Sequence, residues 1–247
     1  MKKRKTRYFL SVLLLASGLY CSQGLASISV YPIEVSLAND RVSKIELMSR
    51  SKDVSFVRVT VKKIINPGTP EEKEAPVNIT GDDSLIVTPQ KFAITPGATR
   101  MARLITLKPP EKETTWRVYF EEVSENNFNG VDELSDSKKT ASVGVNIVWG
   151  ALVHVAPRNL AVSLKVDSKT GMLINEGTVR ISLTEVGECT AASACDWKKE
   201  GATIYPDTRV RLRTLSFRPD HLYKARFKDW INNKNEEISL PIISGSE

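Results

Sequence analysis

Histidine occurs only twice in the 247 residues, as His154 and His221, and cysteine three times, as Cys21, Cys189 and Cys195. The histidines lie far along the chain from any cysteine pair and at no metal-ligand spacing, which leaves a zinc centre without a ligand set. No histidine-containing triad can be nominated, and neither a nucleophile elbow nor a glycine-rich loop carrying a lysine is present. The 29 acidic residues contain no spacing that singles out a glycosidase-type pair. Long apolar runs are also missing. Beyond the amino terminus no window approaches the roughly 20 consecutive apolar residues of a membrane helix. These absences leave enzymatic chemistry without a carrier and turn attention to binding.

What is present begins with Met1-Lys2-Lys3-Arg4-Lys5-Thr6-Arg7, an apolar stretch from Tyr8 to Tyr20, and Gly24-Leu25-Ala26. A basic head, a short apolar core and small residues before a cut describe a secretory signal peptide, predicted over residues 1–26 with cleavage after Ala26. The mature chain is then exported and soluble. Cys21 follows the bulky Tyr20, which argues against a lipid-modified cysteine. Lys2, Lys3, Arg4, Lys5 and Arg7 leave with the leader, so 35 basic residues fall to 30 against 29 acidic ones. A nucleic-acid partner needs a positive face and stacking aromatics, and the sequence offers no such pattern. Cys189 and Cys195 remain as an even pair in an exported protein and are expected to close one small disulfide loop.

From residue 27 onward the sequence reads as short strands separated by turns, an all-β protein. The pattern predicts strands at 28–35, 44–47, 55–65, 85–88, 91–95, 100–107, 116–123 and 140–155, then at 160–166, 172–174, 179–185, 209–215, 223–227 and 238–242. Asn66-Pro67-Gly68-Thr69 and Thr95-Pro96-Gly97-Ala98 place proline where φ near about −65° is wanted and glycine where φ is positive, as type II turns require. Trp116, Val118 and Phe120 share a strand face and are assigned to the core. Residues 124–139, polar and acidic, read as a mobile hairpin loop. Pro157 ends a ladder. The domain boundary is placed there, with an immunoglobulin-like sandwich over 27–156 and a smaller β-sandwich over 157–247.

Along Thr140-Ala141-Ser142-Val143-Gly144-Val145-Asn146-Ile147-Val148-Trp149 the side chains alternate, so one strand face carries Val143, Val145, Ile147 and Trp149. The pattern alone leaves open whether this row faces the chain's own core or a partner. It stands in order with Tyr31-Pro32-Ile33, Lys62-Lys63-Ile64-Ile65-Asn66-Pro67-Gly68, Val87-Thr88-Pro89-Gln90-Lys91, Pro96-Gly97-Ala98, Arg103-Leu104, Arg117-Val118-Tyr119-Phe120-Glu121, Ala151-Leu152 and Leu173-Ile174-Asn175-Glu176-Gly177-Thr178-Val179-Arg180. In this collinear order the chain resembles the periplasmic pilus-assembly chaperones of the alternate chaperone–usher type, which serve colonisation-factor and class 5 fimbriae. The resemblance covers nearly the whole mature chain, is densest from Lys62 to Pro157, and includes the Cys189 and Cys195 pair.

The resemblance implies two immunoglobulin-like β-sandwich domains in a boomerang arrangement and a non-enzymatic periplasmic role without cofactor or nucleotide. Such a chaperone holds pilin subunits, major and tip or adhesin alike, by donor-strand complementation and passes them to an outer-membrane usher. The donor residues would be Val143, Val145 and Ile147, with Trp149 at the edge of the row. The resemblance also implies that basic residues grip the pilin's terminal carboxylate. The better-known chaperones use the first strand and the last strand of domain one, but here Glu34 and Ala151-Leu152-Val153 stand near those positions. The matching motifs place the anchor at Arg117 and Arg103 instead. An immunoglobulin-like pilin or adhesin is the competing assignment, and it would lack its own last strand. Whether the free protein self-associates over its donor strand stays open.

Overall fold

The computed structural model describes residues 27–38, 41–77, 85–130, 147–191, 194–218 and 220–243. They form four β-sheets, two built from the first half of the chain and two from the second. In the first half, β1 (Ile28–Tyr31), β2 (Glu34–Leu37), β3 (Val42–Ser49), β4 (Ser55–Ile65), β5 (Lys73–Pro76), β6 (Leu85–Thr88), β7 (Lys91–Ile94), β8 (Thr99–Thr106), β9 (Thr114–Val123) and β10 (Val148–Val155) make a sandwich. One sheet runs β1-β3-β8-β6. The other runs β2-β10-β9-β4, with β5 and β7 both on the far side of β4.

Strand alternation dictates which side chains fill the space between the sheets. Ile45, Leu47, Ala102 and Leu104 enter from one sheet, and Val57, Val59, Trp116, Val118, Phe120, Ala151 and Val153 from the other. The expected core face of Trp116, Val118 and Phe120 is therefore present. Both expected type II turns form as well. Gly68 and Gly97 hold φ of 72° and 70°, and Thr69 N–H and Ala98 N–H donate to the carbonyls of Asn66 and Thr95.

The predicted strand at 28–35 is two strands belonging to different sheets. Pro32 stands between β1, which pairs with β3, and β2, which pairs with β10. Pro89 does the same between β6, which pairs with β8, and β7, which pairs with β4. A proline has no N–H to give to a ladder, so an edge strand can leave its sheet there without orphaning a donor. Of the expected loop at 124–139, Glu125–Asn129 is a one-turn helix, α1. Ser124 Oγ accepts from Asn127 N–H, Gly130 closes the helix at φ 71°, and Phe128 packs on Phe56 with ring centroids 5.0 Å apart.

The second sandwich pairs a sheet β15-β12-β11-β18 with a sheet β14-β13-β16-β17. Its strands are β11 (Leu164–Asp167), β12 (Met172–Asn175), β13 (Ile181–Ala191), β14 (Ala194–Ile204), β15 (Arg209–Val210), β16 (Leu222–Asp229), β17 (Lys234–Ser239) and β18 (Ile242–Ile243). Cys189 and Cys195 are register partners across β13 and β14 and are disulfide-bonded. The turn after β12 is organised by a buried amide. Asn175 Nδ2 donates to the carbonyls of Val179 and Ile204, each at 2.8 Å, while its Oδ1 accepts from Gly177 N–H at 2.9 Å. A Cβ on Gly177 would come within 2.4 Å of the Ala161 carbonyl oxygen. That oxygen is backbone and cannot swing aside. Gly177→Ala should cost about 1–3 kcal/mol, a typical overpacking penalty, read as a lower urea midpoint with an unchanged slope.

Candidate functional site

The last strand of the first sandwich, β10, is paired along its whole length on one side only. Its eight residues pair with Glu121 back to Thr114 of β9. On the other side β2 takes only Leu152 to Val155, in parallel. Because β1 has already crossed to the opposite sheet, Val148 to Ala151 have no ladder partner on that side among the described residues. Ile147 and Val148, at the start of this open stretch, are 45% and 47% exposed, and Ile33 and Tyr31 near it are exposed too.

Among the expected donor residues, Val143 and Val145 lie outside the described residues. Ile147 is exposed. Trp149 is half-buried, packs against the core of its own sandwich, and donates its indole N–H to the Ile28 carbonyl at 3.0 Å. It shares parity with Ala151 and Val153, which are wholly buried. From Trp149 to Val155 this row is thus the chain's own core row.

The other face of β10 looks away from the core, toward the second domain. Registered neighbours share a face, so one row crosses this surface as Lys62, Arg117, Leu152 and Glu34. The next row is Ile64, Thr115, His154 and Ser36. Arg117 is partly shielded. Its Nε lies 3.3 Å from Glu74 Oε1, and its Nη2 lies 3.7 Å from Glu72 Oε1. Neither approach is aligned as a hydrogen bond, and the buried Nε has no hydrogen-bond partner among the described residues. Lys62, beside it, makes no ion pair among the described residues.

Arg103 does not join Arg117. It alternates with the buried Ala102 and Leu104 on β8, so it points outward from the β1-β3-β8-β6 sheet, in register with Lys44 and Thr88. Arg117 points outward from the opposite sheet. A sandwich interior about 10 Å thick separates the two backbones, and their side chains diverge, so one carboxylate cannot bridge both. Lys62 is the base that the fold sets next to Arg117. Its sequence signal was its place inside the Lys62 to Gly68 run.

Below these rows the two sandwiches meet on a buried ionic cluster. Glu113 receives the Arg180 backbone N–H at 2.9 Å, the Arg180 guanidinium at 2.5 Å and the Trp230 indole N–H at 3.2 Å. Arg180 lies over the Trp230 ring, 4.3 Å from its centroid, and donates to Ser36 Oγ. His154, fully buried, places Nδ1 3.5 Å from Glu113 and stacks on Tyr205 of the second domain. Burial alone would push the Glu113 carboxyl up. His154 and Arg180 more than offset that, and its pKa lies below the ordinary 4.5.

Comparison with known proteins bears on this geometry. No family model matches the chain. Two Escherichia coli proteins do. One is a CFA/I fimbrial subunit, 33% identical over 188 residues covering 74% of this chain and 78% of the relative. The other is a CS1 fimbrial subunit, 31% identical, covering 73% and 78%. A chain from a CFA/I chaperone–tip adhesin complex superposes with a TM-score of 0.69 at 28% identity, over 87% of this chain and 99% of that one. The class 5 fimbriae chaperone CfaA gives the same TM-score and identity over 86% and 98%. This chain belongs to the CFA/CS1-type family of periplasmic pilus chaperones. A chain of the CsuC–CsuE complex of Acinetobacter baumannii, 14% identical with a TM-score of 0.50, shares the fold.

Glu113 and Arg180 join the chaperone's two sandwiches through a buried ion pair. A carboxylate whose pKa is depressed on folding contributes stability that is present above its ordinary pKa and lost as pH falls through the folded value. Coupling between the domains should therefore hold at neutral pH and fade as the pH drops below about 4.5. Scanning calorimetry should then resolve one transition into two. Arg180→Met leaves Glu113 buried without its partner, so it should destabilise by about 3–5 kcal/mol and split the transition already at pH 7.

Proposed function

We propose that this chaperone binds fimbrial subunits whose own sandwich lacks its last strand, shields them by supplying β10 and the residues leading into it, and delivers them to an outer-membrane usher. The observation that carries this reading is the half-paired edge of β10, opening beside the exposed Ile147. A pilin without its last strand has the matching defect, an apolar groove bordered by unpaired backbone, which invites aggregation. One added strand satisfies both partners at once. Val143, Val145 and Ile147 would enter successive pockets of that groove. Each is worth roughly 1.5–3 kcal/mol when fully buried, so holding a pilin requires no nucleotide and no covalent step. Backbone pairing is indifferent to side-chain identity, which suits major and tip pilins alike.

Arg117, with Lys62 alongside, is the anchor we assign to the pilin's terminal carboxylate. A guanidinium fork can take a carboxylate bidentately, which an ammonium cannot. Ile147→Arg should leave the free chaperone as stable as before, because the residue is exposed there, yet recovery of a co-expressed class 5 pilin from the periplasm should collapse. Val145→Arg should behave alike. Arg117→Ala should weaken the complex by roughly 2–5 kcal/mol, the range for truncating a buried charge pair, with Arg117→Lys between. Pilin recovery and urea midpoints measured for each variant decide the matter. Normal recovery with Ile147→Arg and Val145→Arg would mean that the strand is not donated.

A further inference from the structure

Arg117 is already occupied by the chaperone's own carboxylates. Glu74 belongs to β5, on the far side of β4, and its side chain reaches across β4 to bring Oε1 to 3.3 Å from Arg117 Nε. The same oxygen accepts the Tyr119 hydroxyl proton. Burial and the neighbouring Glu74 raise the Tyr119 pKa, so the phenol stays a donor. Glu72 stands 3.7 Å from the guanidinium and accepts from Gly68 N–H at 2.7 Å. Gly68 in turn lies against the ring of Tyr205 in the second domain. At Gly150 of β10 a Cβ would come within 3.1 Å of the Tyr119 ring and 3.5 Å of Arg117 Cδ. A bare backbone at that point lets both side chains lie across the strand.

This is a poorly satisfied ion pair. A guanidinium has five N–H donors, yet the two carboxylates near Arg117 approach without hydrogen-bond alignment, and its Nε proton is sealed from solvent without an acceptor among the described residues. Both carboxylates are about a third exposed, which weakens the pairs further. A ligand carboxylate arriving end-on could form the two parallel bonds that Glu74 does not.

We propose that Glu74, steadied by Tyr119, is a placeholder that neutralises Arg117 in the unloaded chaperone and is displaced by the carboxylate of the incoming pilin. The placeholder keeps an uncompensated cation off the cleft wall, and its loose geometry keeps exchange easy. It also makes the anchor selective, because a ligand without a terminal carboxylate cannot replace Glu74. This rests on Arg117 being the anchor.

The test uses the mature chaperone and two nonapeptides of alternating valine and threonine, identical except that one ends in a free carboxylate and the other in an amide. Wild type should prefer the acid. Removing a competitor of this exposure should raise that preference by roughly two- to fivefold, the span of an exposed ion pair. Glu74→Gln should show the gain by removing the charge, and Glu74→Asp by shortening its reach. Arg117→Ala should abolish the preference in every background. An unchanged or smaller preference in both Glu74 variants, with Arg117→Ala still abolishing it, overturns the placeholder and spares the anchor. No acid preference in wild type, or one that survives Arg117→Ala, overturns the anchor and the placeholder with it.

Discussion

A backbone amide in a sheet needs a partner on the side to which it points, and the chaperone leaves that need unmet along half of β10 among the described residues. The cause lies in the first strand. At Pro32 the chain leaves the β3 ladder for the β10 ladder, so β2 covers only the end of β10 that lies deepest in the fold. Had β1 remained beside β10, the edge would be closed and Ile147 covered. Sending β1 to the opposite sheet instead completes the core beneath Trp149, whose indole is tied to the Ile28 carbonyl. The same step seals the chaperone's own interior and exposes the strand beyond it.

The second requirement is a fixed angle between that edge and the neighbouring domain. A buried ion pair such as Glu113 with Arg180 is a weak source of net stability, because desolvating both charges costs about what their attraction returns. What it supplies is orientation. Glu113 is met by a backbone N–H, a guanidinium and an indole, all from the second domain. Three donors converging on one carboxylate leave little freedom for rotation. Leu173 to Arg180 reads as one motif because each part has a place: Asn175 and Gly177 build the turn, Thr178 accepts the Glu113 N–H, and Arg180 closes the pair.

Much of the fold was legible because its strands are half-buried and alternate. Ser55–Ile65 and Leu85–Thr88 appear with the expected bounds, and the two Pro-Gly turns carry their backbone requirement in their composition. The elements that escaped are edges. β14 reads Ala-Cys-Asp-Trp-Lys-Lys-Glu-Gly-Ala-Thr-Ile, and β5 is short and polar. Edge strands carry charges that discourage aberrant pairing, and those charges erase the apolar alternation that reveals a strand. The split at Pro32 shows in the sequence only as a change of phase, from buried Ile28 and Val30 to buried Val35 and Leu37, and nothing in so short a run says that its two parts join different sheets. The site was legible only where one strand suffices. Parity placed Arg117 away from the core, but whether Arg103 shares its sheet is a question of topology, as is the pairing of Glu113 with Arg180 across 67 residues.

The two faces of β10 would let the proposed carboxylate anchor and the proposed donor row act as one device. Odd-numbered residues from Trp149 to Val155 face the chaperone's core, while Val148, Gly150, Leu152 and His154 face the cleft. Arg117 is level with Leu152, and the exposed Ile147 lies five residues before Leu152, roughly 17 Å away at the rise of an extended chain. A pilin strand laid along this edge with its carboxylate at Arg117, as proposed, would therefore meet Ile147 at a set position. A slip of one residue would turn every donor side chain to the wrong face. The apolar contacts alone tolerate a slip of two, since period-two alternation repeats. Only an end-specific contact removes that ambiguity, which gives a single arginine at a fixed height on the ladder an influence on register larger than its own binding energy.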